Sequence, residues 1–246
     1  MRICVCTDLE GISGVCVFEQ TRDRTTALFQ EARRLLMGDI NACVDGCLEG
    51  GADEVVVRDG HGGGFNILPE ELHPEALCLT GVNRPREAGW ELRYDAAILL
   101  GYHAMNGTET GVLHHTQSSQ SESKYWYNDR ECGEIAQSAL ILGHYGIPVV
   151  MVTGDEACCA EAREFLGEEL VTVAVKKGYA REAALIIAPK RARGMIREGA
   201  REAMSRVDRG ELFSMELPIR GKHLRKGLEQ PLEKLFESAL GIYDFS

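Results

Sequence analysis

Short apolar runs alternate with longer amphipathic stretches along most of this chain, and that alternation restricts the fold more than any other feature. Residues 3–6, 54–57, 76–80, 96–100, 147–152 and 170–175 are brief and mostly apolar, as strands buried on both faces are. Between them lie stretches of helical period. Over residues 25–49, Leu28, Ala32, Leu35, Leu36, Ile40, Cys43 and Cys47 fall on one face, and Gly50-Gly51 stops the helix. Further helices are predicted from Glu134 to about residue 145, from the Gly154-Asp155 turn to about 166, and from Pro189 to about 207. Residues 124–132 read as a hairpin turning at Asn128-Asp129, residues 212–217 as a strand, and residues 232–240 as a short helix. The expected fold is α/β: a mostly parallel central sheet flanked by helices, with residues 1–175 as the core and 176–246 as a smaller C-terminal lobe.

Charge and cysteine usage narrow the classes of function. A formal charge of −11 over 246 residues argues against nucleic-acid and anionic-membrane partners. No apolar run approaches the roughly 20 residues of a spanning helix. The sequence enters a strand at once, without a basic and then apolar leader, so a cytoplasmic setting is the expectation. The nine cysteines are odd in number, and six of them fall in the pairs 4/6, 43/47 and 158/159. None form a C-x-x-C pair, so reduced thiols packed as small hydrophobes are expected.

Three of the predicted strands end in residues able to bind a metal. The first runs into Asp8-Leu-Glu10-Gly11, where strand alternation points both carboxylates the same way. Two such acids repel one another unless a proton or a cation lies between them. The second strand breaks at Arg58-Asp-Gly-His61-Gly-Gly-Gly64, and the fourth at Gly101-Tyr-His103. Ligands of open α/β sheets bind outside the carboxyl ends of the strands, so the coincidence of three such ends says more than any one of them. Mixed carboxylate and imidazole donors suit zinc, manganese or iron better than calcium or magnesium. An acid shared between two ions, about 3.5–4 Å apart, would build a two-metal site. Glu134, taken alone, reads as a carboxylate at a helix N-terminus. Adjacent His114 and His115 face opposite ways in an extended loop, so one of them can reach the site and act as acid or base. His73, His144 and His223 read as structural.

The strings TDLEGISG, RDGHGG, LGYHA, TGVLHHT and YNDRECGE, in this order and spacing, resemble the zinc-dependent D-aminopeptidases of the DppA type over about the first 155 residues. The resemblance implies a dinuclear zinc site, with manganese or cobalt as alternative metals. Its ligands would be Asp8, Glu10, His61, His103 and Glu134, with Asp8 bridging. His115, which closes the G-V-x-x-H string, matches the family's catalytic histidine. The resemblance further implies short peptide substrates, notably those beginning with D-amino acids such as D-alanine, and homo-oligomeric rings, decamers of two pentamers. Beyond about residue 210 the chain departs from the family's pattern, ending soon after Lys222-His-Leu-Arg-Lys226 in a short acidic tail.

Two other readings compete. The first motif alone looks like the D-x-D-G opening of magnesium-dependent aspartyl phosphatases, with Asp8 as nucleophile. That reading leaves His61, His103 and Glu134 without employment. The other is a metal-binding scaffold without activity, which the intact set of donors together with His115 opposes.

Overall fold

The computed structural model describes residues 1–83, 85 and 87–245. In chain order the strands are β1 (Arg2–Thr7), β2 (Glu54–Asp59), β3 (Ala76–Leu79), β4 (Ala96–Leu100), β5 (Lys124–Tyr127), β6 (Arg130–Glu131), β7 (Val149–Asp155), β8 (Val171–Ala180), β9 (Ala183–Ile186), β10 (Ile219–Leu224) and β11 (Leu232–Phe236). The helices are α1 (Glu19–Arg22), α2 (Ala27–Glu49), α3 (Glu134–His144), α4 (Glu156–Leu166) and α5 (Pro189–Met204).

Seven strands form the main sheet in the order β3-β2-β1-β4-β7-β8-β9. All pairs are parallel except β8 with β9. Strand alternation divides β1 between two cores. Ile3 and Val5 join the cluster that α2 and α5 close through Ile40, Cys43, Ile196 and Ala200. Cys4 and Cys6 join the opposite cluster, which α3 and α4 close through Ile135, Ala139 and Ala162. Apolar coverage of both faces is why these strands read as continuous hydrophobic runs. Helix starts follow local chemistry: Thr26 accepts from the Phe29 amide to open α2, and Asp155 accepts from the Cys158 amide to open α4.

The expected mostly parallel sheet and flanking helices are therefore present, and the tail differs in two places. Residues 212–217 form no strand. Residues 232–236 form β11 instead of a helix, because Leu232 to Phe236 pair antiparallel with β10, Phe236 opposite Ile219. With the β5–β6 hairpin they make a second sheet, β11-β10-β5-β6. A boundary after residue 175 falls inside β8, and β9 and α5 beyond it pack on the main sheet. The second sheet draws on both parts of the chain, since β10 pairs with β5. None of the nine cysteines is in a disulfide among the described residues, and no described helix is long and apolar enough to cross a membrane.

Candidate metal centre

Strand order brings the three motifs to one level. β1 lies between β2 and β4, with Thr7 opposite both Asp59 and Leu100, so the chain leaves the three strands side by side. The order also reverses direction here, as the ligand crevices of open α/β sheets require. The loops are then locked together by backbone: the Asp8 amide donates to the Leu100 carbonyl (2.9 Å), and the Gly11 amide to the Gly101 carbonyl (2.8 Å). Two glycines make this approach possible. A Cβ on Gly11 would sit 1.9 Å from the Tyr102 carbonyl oxygen. Gly101 has φ +76°, and a Cβ there would lie 2.6 Å from the Asp8 carbonyl oxygen.

The side chains converge. His103 Nε2 lies 3.4 Å from Asp8 Oδ2 and 3.4 Å from Glu134 Oε1. His61 Nε2 is 3.2 Å from Glu10 Oε1, and His115 Nε2 is 3.8 Å from Glu134 Oε1. The rings of His103 and His115 stack with centroids 4.0 Å apart. Donor atoms of Asp8, Glu10 and His103 all lie within 4.8 Å of one another, as do those of His103, His115 and Glu134, so His103 belongs to both groups. Backbone carbonyls orient both rings: His103 Nδ1 lies 3.0 Å from the Ala104 oxygen and His115 Nδ1 2.7 Å from the Leu113 oxygen. Each contact assigns the proton to Nδ1 and turns Nε2 toward the cluster. Glu134 opens α3, and its Oε1 accepts from the Gln117 amide at 2.7 Å.

Electrostatics show how the cluster balances its charge. Burial and the neighbouring Glu10 charge push the Asp8 carboxyl up to about 8. Burial would raise Glu10 and Glu134 too, but His61 holds Glu10 well below the usual carboxylate range and His103 holds Glu134 at about 2. Burial acts to lower His61, yet Glu10 lifts it to about 9. By itself, then, the protein balances the buried Asp8 and Glu10 and the half-buried Glu134 with a proton and imidazolium charge. A divalent cation would do the same with neutral imidazoles. Glu10 Oε2 and His103 Nε2 are buried without hydrogen-bond partners, a costly state for atoms that are not serving as ligands. Carboxylate and imidazole donors of this kind fit zinc.

The family model of the D-aminopeptidases matches residues 1–223. The chain belongs to the D-aminopeptidase family. The D-aminopeptidase of Bacillus subtilis (strain 168) is 31% identical over 213 residues, 85% of this chain and 76% of its own length. A solved structure, the Zn-dependent D-aminopeptidase DppA from Bacillus subtilis, described as a self-compartmentalizing protease, matches with a TM-score of 0.92 at 25% identity. That match covers 99% of this chain and 94% of the other, so the D-aminopeptidase fold continues through the tail whose sequence departs from the motif pattern.

Within this family member, the six expected residues stand together: Asp8, Glu10, His61, His103, His115 and Glu134. His114 faces away and accepts from the Gly107 amide. His223 stacks on Tyr125 beside Ser123, and His73 pairs with Asp45 at 3.2 Å, an acid partner that sequence reading did not find. Sequence reading also missed three supports of the centre. Lys176 Nζ donates to the carbonyls of Glu10 (2.6 Å), Ile12 (3.0 Å) and Val15 (2.5 Å). Asp39 accepts from the Ser13 amide and hydroxyl. Asp59 accepts from Asn66, whose amide group also donates to the His61 carbonyl. The one available signal was a lysine in an otherwise apolar strand, Val173-Ala-Val-Lys176.

Proposed function

We propose that this protein is a zinc-dependent aminopeptidase that releases N-terminal residues, D-alanine and other D-amino acids among them, from short peptides. The observation that carries the reading is the convergence of three carboxylates and two oriented imidazoles, with buried donor atoms that have no hydrogen-bond partner among the described residues, in a D-aminopeptidase family member. Asp8, Glu10, His61, His103 and Glu134 would hold two ions per subunit, since Glu10 pairs with His61 and Glu134 with His103, and Asp8 would be shared between them. The aspartyl-phosphatase alternative gives no role to the histidines and Glu134 gathered around Asp8.

When bound, zinc supplies a water acidic enough to attack at neutral pH and a positive field for the carbonyl oxygen. The protein holds the ions and moves the proton. Burial and the adjacent His103 push His115 down to about 4, and its Nδ1 proton is tied to Leu113, so the ring rests neutral with Nε2 turned inward. It therefore takes at Nε2 the proton that the attacking water gives up, and passes it to the leaving amine.

Homo-oligomeric assembly, as a decameric ring in the cytoplasm, completes the reading. Apolar side chains left exposed near both edges of the main sheet support it, Leu77 and Val82 at one end and Leu185 and Ile186 at the other. The decisive experiment strips the metal, restores zinc, manganese or cobalt, and assays short D- and L-aminoacyl peptides. Zinc-dependent hydrolysis with preference for D-residues is expected. Full zinc occupancy without hydrolysis of any peptide would leave only a metal-binding scaffold, and a solution mass of one subunit would count against the ring.

A further inference from the structure

Two cavities meet at the metal centre, and both are bordered by Asp8, Gly60, Gly63, Gln117 and Glu134. One, of about 410 Å³, is polar and holds His61, His115, Ser118 and Ser119. The other, of about 440 Å³, follows α3. Glu134, Gln137, Ser138, Ile141 and Leu142 recur at steps of three and four, so one face of that helix forms its wall. At about 1.5 Å per residue, this wall extends roughly 12 Å from the metal centre.

The second cavity has a mixed lining: Cys6, Trp90, Tyr102, Tyr243, Ile141 and Leu142 give it aromatic and aliphatic walls, beside the polar Arg58 and Asn83. Its walls are braced. The Arg58 guanidinium lies 4.2 Å from the Trp90 ring centroid, Tyr145 stacks on that indole, and the Tyr102 and Ser138 hydroxyls are 3.0 Å apart. Such a preformed space with aromatic and aliphatic walls takes up an apolar side chain without first having to open.

His115 decides which part of a peptide goes where. It borders the polar cavity and not the one along α3. A proton passed from His115 reaches the leaving amine only if the leaving fragment lies on the polar side. The N-terminal residue is then left facing the cavity along α3. We propose that this cavity along α3, with its aromatic and aliphatic walls, receives the side chain of the N-terminal residue, and that the substrates are short peptides beginning with a large aliphatic or aromatic residue in preference to alanine. The inference rests on the aminopeptidase reading, because it takes its direction from the leaving amine.

The test uses the zinc-loaded full chain and three tripeptides ending in glycyl-glycine and beginning with alanine, leucine or phenylalanine, in whichever hand the protein cleaves. A methylene group placed in an apolar pocket changes kcat/KM by about 10-fold or more. The leucyl or phenylalanyl peptide should therefore exceed the alanyl peptide by at least about tenfold. Ser138 is only partly buried, so Ser138→Phe projects a ring into the cavity and should cut that ratio by a similar factor while zinc content stays at the wild-type level. Equal or better cleavage of the alanyl peptide by the wild type would overturn the proposal. So would an unchanged ratio in zinc-loaded Ser138→Phe. Both results leave an active aminopeptidase standing, whereas cleavage of none of the three peptides removes that reading and this proposal together.

Discussion

His114 and His115 are neighbours with the same side chain and different chemistry, because the backbone turns one inward and one outward. Leu113, at φ +54°, directs its carbonyl to His115 Nδ1, and this leaves Nε2 facing Glu134. Asp8 owes its position to the same kind of local constraint, its Oδ1 accepting from the Leu9 amide while Oδ2 faces His103. The two residues separate by experiment. His115→Ala should keep its zinc and lose kcat by about 10²–10⁴-fold, the range of a general acid–base group. Asp8→Ala should lose both ions, as measured by metal analysis of the purified protein. Undiminished turnover in the first variant would remove His115 from the mechanism, and loss of a single ion in the second would contradict the bridging role.

At the scale of elements, the centre depends on a strand that contributes no candidate ligand. β8 carries Lys176, whose ammonium is fully buried and satisfies three carbonyls of the turn that presents Asp8 and Glu10. Burial pushes its pKa down to about 8, with Asp155 among the acids that offset the loss of solvent. Lys176→Met keeps the stem and strands the carbonyls, each unpaired polar group costing about 1–3 kcal/mol. Urea unfolding should register a loss of about 3 kcal/mol or more, with weaker zinc retention against a chelator. A variant as stable as the wild type would show that water replaces the ammonium without penalty.

For the whole molecule, two further buried acids set a pH dependence of stability. Burial pushes Asp39 up to about 6 and Glu161 up to about 7, from ordinary values of 3.8 and 4.5. Each binds its proton more tightly in the folded state. The stability this provides is complete below the unfolded value and is lost as pH rises through the folded one. Glu161 accepts from the Met105 amide through Oε2, while its Oε1 is buried without a partner. In metal-free protein, Glu161→Gln should therefore gain stability over the wild type at pH 8 by up to about 3 kcal/mol. That gain should shrink toward pH 5. A difference that stays constant between the two pH values would mean that Glu161 does not titrate in this window.

The sequence by itself determined the parallel sheet, its helices and the residues at three strand ends, because these depend on period and local turn chemistry. Ile3, Val5 and the run Ala96 to Leu100 mark buried strands wherever they stand, and Asp8, Glu10, His61 and His103 sit within four residues of such ends. Strand pairing in the tail was a different matter. Leu232 to Phe236 has no pattern that selects a strand over a helix, and the presence of β10 beside it settles the outcome. The same holds for Lys176, 166 residues from Glu10, and for Glu134, which reads as an ordinary helix-capping acid until α3 docks with its first turn against His103. Such contacts form only when the main sheet brings distant segments together. The family motifs already named the donors, and the tertiary structure alone decided how they meet and what holds them there.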